Sequence, residues 1–461
     1  MTPRVAVVGA GITGLAAAEA LRRAAPDHEV VVLEGSASVG GKVARAEVGG
    51  VSVDVGAEAM LNRRPEAVEL AREVGLGDRL VHPATTSAHL WSRGRLRPMP
   101  RTLMGVPTDP ALLADSEVLS APGLARAAEE PQLPPTELDD RDVSIGWLVE
   151  QRFGREVVDR LVEPLLGGVY AGHAREISAR AAVPQIVALL DRDRSMMRAA
   201  AAATAPAADV PVFAGLSGGV ALLPETLAAG LDVRTGNPVR ELTRTADRGW
   251  DLVVGSTRQP HVLHADAVVL ATPAGATGRL LADLAPAAAR ELARIEYASM
   301  AIVTLAFATR DFPATEGSGF LVPPVDGRTV KASTYSYAKW DWVRAAGDGL
   351  LLMRCSIGRH REERTLQRSD EELVELALDD LRDAIGPSAP PVDAHVQRWG
   401  GALPQYAVGH LDRVRDIRSA VAGLPGLAVC GAAYDGLGLP ACIASARTAA
   451  AQVLDALAER G

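Results

Sequence analysis

Short apolar runs alternate with longer amphipathic stretches along this chain, and their spacing predicts where strands give way to helices. Val5 to Val8 are uniformly apolar and end at Gly9, so they read as a buried strand entering a turn. Leu15 to Leu21, rich in Ala and Leu, predicts a helix, and Glu29 to Glu34 a second buried strand closed by an acid. Pro65 to Leu76 has helical period, with Gly75 placed as a cap. From His89 to Pro110, Arg and Pro break every helical pattern, so the segment reads as strands and turns. Arg93, Arg95 and Arg97 alternate there, which predicts one shared face on a solvated edge strand. Helical period returns over 140–190, and 191–210 predicts a helix passing into a mobile loop where Pro206 breaks an alanine run. Further on, Phe213–Leu227 predicts a strand and short helix, Val233–Leu242 two strands, and Asp266–Pro273 a buried strand with its turn. Strand-like runs at 301–307 and 350–355 flank a helix near 370–385, and the chain closes with a strand at Gly426–Gly431 and a helix over Pro440–Leu457.

The turn after the first strand is Gly9-Ala10-Gly11-Ile12-Thr13-Gly14. In a strand–turn–helix setting the first glycine permits the tight turn, the second lets backbone approach a pyrophosphate, and the third lets helix pack on sheet. The helix N-terminus then offers unpaired N–H groups to the phosphates. Glu34, 20 residues beyond Gly14, stands where a carboxylate accepts from a ribose 2′-hydroxyl. An adenine dinucleotide is the expected ligand. Near the C-terminus, Leu437-Gly438-Leu439-Pro440 opens the last helix, and its N-terminal dipole could stabilise negative charge developing on a ring system. These pieces predict an α/β fold with a Rossmann-like dinucleotide domain built from 1–80, 211–290 and 396–461. A mainly helical insertion with Arg-rich strands occupies 81–210 and a mixed α/β substrate domain 291–395.

Composition narrows the partners. A formal charge of -9 argues against nucleic acid, and no apolar run is long enough to span a membrane. Contact with a membrane surface is neither required nor forbidden. Cys355, Cys430 and Cys442 form no CxxC pair, so neither a metal site nor a disulfide framework is expected. The apolar N-terminus runs directly into the glycine motif and so reads as a strand rather than a signal peptide, which favours a cytoplasmic protein.

Beyond the second strand come Val39-Gly40-Gly41-Lys42 and Asp54-Val55-Gly56-Ala57-Glu58. With the opening motif, they resemble the FAD-binding entry of the amine oxidase and porphyrinogen oxidase superfamily. Pro164-Leu165-Leu166-Gly167-Gly168-Val169-Tyr170-Ala171-Gly172, Lys339-Trp340, Trp399 and Leu403-Pro404-Gln405-Tyr406-Ala407-Val408-Gly409-His410 sharpen the likeness. Together they resemble the oxygen-dependent porphyrinogen oxidases, most nearly the bacterial type that forms coproporphyrin. Ala57-Glu58 departs from the family's more frequent Pro-Asp, and Ser333-Thr334-Tyr335 replaces a Cys-containing stretch.

The resemblance implies noncovalent FAD held by Gly9, Ala10, Gly11, Ile12, Thr13, Gly14, Glu34 and Gly35. It adds Gly41, Lys42, Gly56, Ala57, Glu58, Ala59, Val239, Trp399, Leu437, Gly438 and Leu439. It places Tyr170, Ala171 and Gly172 beside a bound macrocycle and Arg64 toward its propionates. The implied reaction removes six electrons from coproporphyrinogen III in three two-electron steps, with dioxygen as acceptor and hydrogen peroxide released, in haem biosynthesis. No catalytic side chain is implied, because the flavin carries the hard step. A transient transfer of product to a ferrochelatase belongs to the same expectation. Protoporphyrinogen IX is the alternative substrate. An amine oxidase, with Lys331 and Tyr434 near the flavin, or a tetrapyrrole carrier without turnover are the further alternatives.

Overall fold

The computed structural model describes residues 2–204 and 211–460. Five parallel strands form one sheet in the order Asp232–Arg234, Glu29–Leu33, Arg4–Val8, Ala267–Leu270, Leu427–Val429. These strands come from three well-separated stretches of chain. Because both faces of a parallel sheet are covered, the inner strands are near-continuous apolar runs, whereas the edge strand Asp232–Arg234 is charged at both ends. Val5, Val7, Val32 and Val269 pack under the helices Ile12–Ala24 and Leu439–Ala458. Ala6, Val8, Val31 and Val268 face the antiparallel strands Trp250–Ser256 and Gln259–Ala265 and the helix His410–Ala422.

A second sheet has seven strands, in the order Asp393–Pro404, Tyr297–Ala308, Leu350–Ile357, Val330–Thr334, Gly319–Leu321, His89–Ser92, Arg95–Pro98. All its pairings are antiparallel except that of His89–Ser92 with Gly319–Leu321. This arrangement corrects two of the expected boundaries. The 89–98 hairpin joins the sheet rather than the helical insertion, and strand Asp393–Pro404 runs through the boundary placed at 395/396. Both elements complete their hydrogen bonding on strands distant in sequence, which local periodicity does not report.

The arginine trio is corrected too. Arg93 and Gly94, at φ 54° and 80°, form the hairpin's two-residue turn, where both central residues must take positive φ. Arg97 is buried, donating to Ser92 O at 2.9 Å and to Glu117 at 2.7 Å, while Arg95 lies outside and pairs with the same Glu117. No solvated basic face exists here.

The helical layer packs Leu148, Val149, Phe153, Val158, Leu161 and Leu166 into a separate core, and the helix Glu163–Tyr170 runs from it to the seven-stranded sheet. The helix expected within 191–210 is found at Met196–Ala203, whereas Pro206 and its loop lie outside the described residues.

Candidate active site

The glycine turn behaves as its spacing requires. Gly9 has φ 104°, and a Cβ on Gly14 would sit 1.8 Å from Gly9 O, so neither accepts a side chain without moving backbone. A Cβ on Gly11, by contrast, would meet nothing within 4 Å. The turn is therefore closed toward the sheet and open at the position where a pyrophosphate would approach. Helix Ile12–Ala24 has no side-chain cap and no acid in its first turn, which leaves its first N–H groups for an anion. Glu34 accepts from Ala10 N and from Ser36 N, both at 2.7 Å, and these two bonds hold its carboxylate at the strand end. Gly35 is exposed beside it, against Pro238, and Asn237 N donates to Glu34 O at 2.8 Å, bringing Val239 to the same corner.

The next glycines lie alongside. Gly40 N donates to Ala10 O at 2.8 Å, and Gly41, at φ 59°, stacks on Gly11. Lys42 is accessible yet so surrounded by protein that burial lowers its ammonium below the ordinary lysine value, as for a side chain lining a concavity. Ala57 N donates to Lys42 O at 3.1 Å, and Gly56 passes so close that a Cβ would sit 2.0 Å from Lys42 O. Trp399 closes over this crossing, with Nε1 donating to Val55 O at 3.0 Å. The last helix begins at Leu439 after Gly438, again without a side-chain cap, and Leu437 is half-buried in front of it. Thr13 lies beside Cys442 in the first turn of that helix, so the two uncapped helix starts share one corner. Two free helix N-termini, a lysine and backbone cleared of Cβ atoms suit an extended dianionic dinucleotide.

Glu58 is differently employed. Its carboxylate accepts from Lys339 at 2.6 Å, Arg354 at 2.8 Å and Ser336 at 3.3 Å, while Arg354 also donates to Gly56 O at 2.6 Å. Burial alone would raise this carboxyl, but the two cations outweigh it and hold it at about 2. The Glu58 side chain thus ties the dinucleotide segment to the seven-stranded sheet, and any contact with a cofactor falls to its backbone and to Ala59. Asp54, which sequence reasoning passed over, accepts from Val220 N at 2.8 Å and Ala221 N at 3.1 Å, and burial raises it to about 6.

The segment around Tyr170 is the main surprise. Tyr170 is buried, its hydroxyl donating to Ala182 O at 3.2 Å and its ring 5.6 Å from that of Tyr406. Gln405 Nε2 donates to Tyr170 O at 2.8 Å, and Ser178 N donates to Tyr406 O at 2.7 Å. Ala171 takes φ 50°, and its carbonyl accepts from His360 N at 2.6 Å. A Cβ on Gly172 would fall 2.0 Å from Gln405 Oε1, so the glycine makes room for that amide. The two most distinctive motifs are thus joined to each other. His410 continues the stack on Tyr406, 4.1 Å away, and burial lowers it to about 4, so it serves there as a neutral ring.

Open space lies one turn earlier. A Cβ on buried Gly167 would meet nothing within 4 Å, one on Gly168 only Leu321 at 3.7 Å, and Val169 is 46% exposed. These positions, with Leu321, are where the helix offers a surface. The signal was the adjacent glycine pair in a helix, which lowers helix propensity with no turn to justify it. Arg64 donates to Glu66 at 2.6 Å and is 43% exposed, and its charge acts on Cys442 in the first turn of the last helix.

Over residues 12–454 the sequence matches the family described as flavin containing amine oxidoreductase. The chain belongs to that family. It is 39% identical over 465 residues to the coproporphyrinogen III oxidase of Mycobacterium tuberculosis, covering 99% of each chain. It is 31% identical to the enzyme of that name from Bacillus subtilis, covering 98% of this chain and 97% of the other. A crystal structure of a "putative protoporphyrinogen oxidase" from Exiguobacterium superposes with a TM-score of 0.88 at 31% identity, covering 99% of both chains. The family supplies the flavin that the glycine cradle fits, and FAD is the dinucleotide it implies. Among the described residues no helix is long and apolar enough to cross a membrane, and no group of side chains is arranged to hold a metal.

Proposed function

We propose that the chain oxidises coproporphyrinogen III to coproporphyrin III in the cytoplasm, with noncovalent FAD, using dioxygen and releasing hydrogen peroxide, and that a ferrochelatase takes the product. The observation that carries this reading is the interlock of Tyr170–Gly172 with Gln405–Tyr406, in a chain 39% identical over its full length to a coproporphyrinogen III oxidase. Bound FAD would supply two-electron chemistry.

The chain's own part is to bind and orient. Gly9, Gly11, Gly14 and the two uncapped helix starts would hold the phosphates, Glu34 the ribose, and the backbone near Val239 the adenine. Lys42, Trp399 and the crossing at Gly56 would border the reactive ring, with the 437–439 turn presenting N–H groups to its anionic edge. The macrocycle would lie over Gly167, Gly168 and Val169 against Leu321, at the end of the helix that the Tyr170–Gly172 turn fixes in place. Arg64, at the surface, could reach a propionate by exchanging its Glu66 partner. No carboxylate or imidazole is required as base, because the flavin carries the hard step.

Acid precipitation tests the cofactor and anaerobic titration the substrate. Flavin should appear in the supernatant, and coproporphyrinogen III should bleach the holoenzyme without oxygen. Flavin retained in the pellet, or bleaching by a polyamine and not by a porphyrinogen, would contradict the proposal.

A further inference from the structure

Lys331 is only 2% exposed and sits at a bulge, where the pairing of Val330–Thr334 with Leu350–Ile357 shifts register between Val330 and Ala332. Its ammonium donates to Gly358 O at 2.7 Å and lies 3.9 Å from Met300 Sδ. Neither is an anion, and among the described residues Lys331 has no ion-pair partner. Arg359, adjacent to Gly358, is 5% exposed and donates to Val322 O at 3.2 Å. Its nearest carboxylate, Glu362, is 4.0 Å away and half exposed. Among the described residues the two buried cations therefore have one carboxylate within 4.0 Å, and it is weakly placed. Burial, and then the Arg359 charge, lower Lys331 to about 7, and burial lowers Arg359 as well.

The pair lies beside the proposed macrocycle surface. Val322, whose carbonyl Arg359 holds, follows Leu321, the residue facing Gly168. His360, next to Arg359, is bonded to Ala171 O at the end of the same helix. That helix also carries Glu163, whose Oε1 accepts from Ala174 N while Oε2 is buried without a partner. Burial raises Glu163, which weakens it as a counter-ion for Arg359. His173, on the following turn, bonds His360 O, Glu176 and Glu296 flank the His360 ring, and Arg175 lies 3.9 Å from Glu163.

We propose that Lys331 and Arg359 form an anion site that takes one carboxylate of the tetrapyrrole and so favours a tetracarboxylate over a dicarboxylate substrate. The inference rests on the proposed function and names the substrate determinant of that site. Buried like charges repel strongly in a poorly polarisable surrounding, and a carboxylate placed between them relieves that cost while accepting charge-assisted hydrogen bonds. If the ring turns between its three two-electron oxidations, different edges would face the flavin. A tetrapyrrole with an acid on every pyrrole presents one to the pair in each orientation. One with acids on two neighbouring pyrroles leaves the pair empty in some of them.

The test uses flavin-loaded protein with coproporphyrinogen III and protoporphyrinogen IX as substrates and coproporphyrin III as a stable binding probe. Lys331→Met should narrow the preference in kcat/KM for the tetracarboxylate about tenfold, whereas Lys331→Arg should keep it. Calorimetric binding of coproporphyrin III at pH 7.5, in two buffers of different ionisation enthalpy, should show proton uptake by the natural protein and none by Lys331→Met. Arg359→Gln should reproduce the loss of preference, and it carries the comparison if Lys331→Met fails to retain flavin. Unchanged preference, or equal proton uptake with and without Lys331, would overturn the site. If the natural protein binds the porphyrin with Lys331-dependent proton uptake yet oxidises neither porphyrinogen, the anion site stands and the proposed function fails.

Discussion

The glycine turn at Gly9–Gly14 and the turn at Tyr170–Gly172 carry equally conspicuous sequence patterns, yet they work in different ways. In the first, backbone geometry is the proposed function. Gly14 is forced by Gly9 O and Gly11 is left open, so the pattern and the proposed binding surface coincide. In the second, the pattern builds a joint. Tyr170 is bonded to Ala182 and Gln405 and Ala171 to His360, Gly172 lies against the Gln405 amide, and the open surface lies at Gly167 and Gly168. A motif can thus mark the place that holds a proposed site rigid.

The largest effect should come from the joint between the dinucleotide segment and the seven-stranded sheet. Glu58→Gln leaves the charges of Lys339 and Arg354 poorly compensated and should cost about 3 kcal/mol of stability, read by denaturant unfolding. The loss should depend on pH. The folded carboxyl titrates at about 2 against an ordinary 4.5, so the Glu58 contribution is complete above pH 4.5 and fades as pH falls toward 2. The difference between natural protein and variant should shrink over that window. Asp54 acts in the opposite sense. With a folded value of about 6 against 3.8, it makes folding more favourable as pH falls from about 6 toward 4. Asp54→Asn should remove that rise in a pH series of melting curves.

Glu34→Ala should come next, lowering FAD affinity by about 2 kcal/mol, roughly thirtyfold, in a titration of the apoprotein. Unchanged affinity would detach Glu34 from the ribose and weaken the contrast between the two turns.

Gly172→Ala probes the second turn directly. The new Cβ meets the far end of a flexible side chain, so Gln405 can swing away at the loss of its bonds to Tyr170 O and Leu403 O, about 1 kcal/mol. The loss should appear in thermal stability rather than in KM, and it should shrink in a Gln405→Ala background. A large KM effect with unchanged stability would return Gly172 to the substrate surface.

What was legible in the sequence divides along the same line. Strand, turn, helix and Glu34 are consecutive, so local pattern sufficed for the dinucleotide turn, and the buried strands at Val5–Val8, Glu29–Glu34, Asp266–Pro273 and Gly426–Gly431 were legible as short apolar runs. The hairpin at 89–98, the partners of Glu58 and the contact of Gly172 with Gln405 depend on residues far apart in the chain. No periodicity encodes such meetings. The same holds for Lys331, named only under the amine oxidase alternative, whose bulge and burial no local pattern shows.

Arg64→Ala should have the smallest effect. An exposed ion pair contributes at most about 1 kcal/mol, so kcat/KM should change severalfold or less on either porphyrinogen, with kcat unaltered. A larger loss confined to the tetracarboxylate would move carboxylate recognition from the sheet to Arg64.

The central claim is tested most directly by initial rates of porphyrin fluorescence under air, with coproporphyrinogen III and protoporphyrinogen IX compared at equal concentration and peroxide measured in parallel. The account predicts faster oxidation of coproporphyrinogen III, with three peroxides formed per porphyrin, one for each two-electron step. Rates no higher than autoxidation beside heat-inactivated protein, or faster turnover of protoporphyrinogen IX, would contradict it.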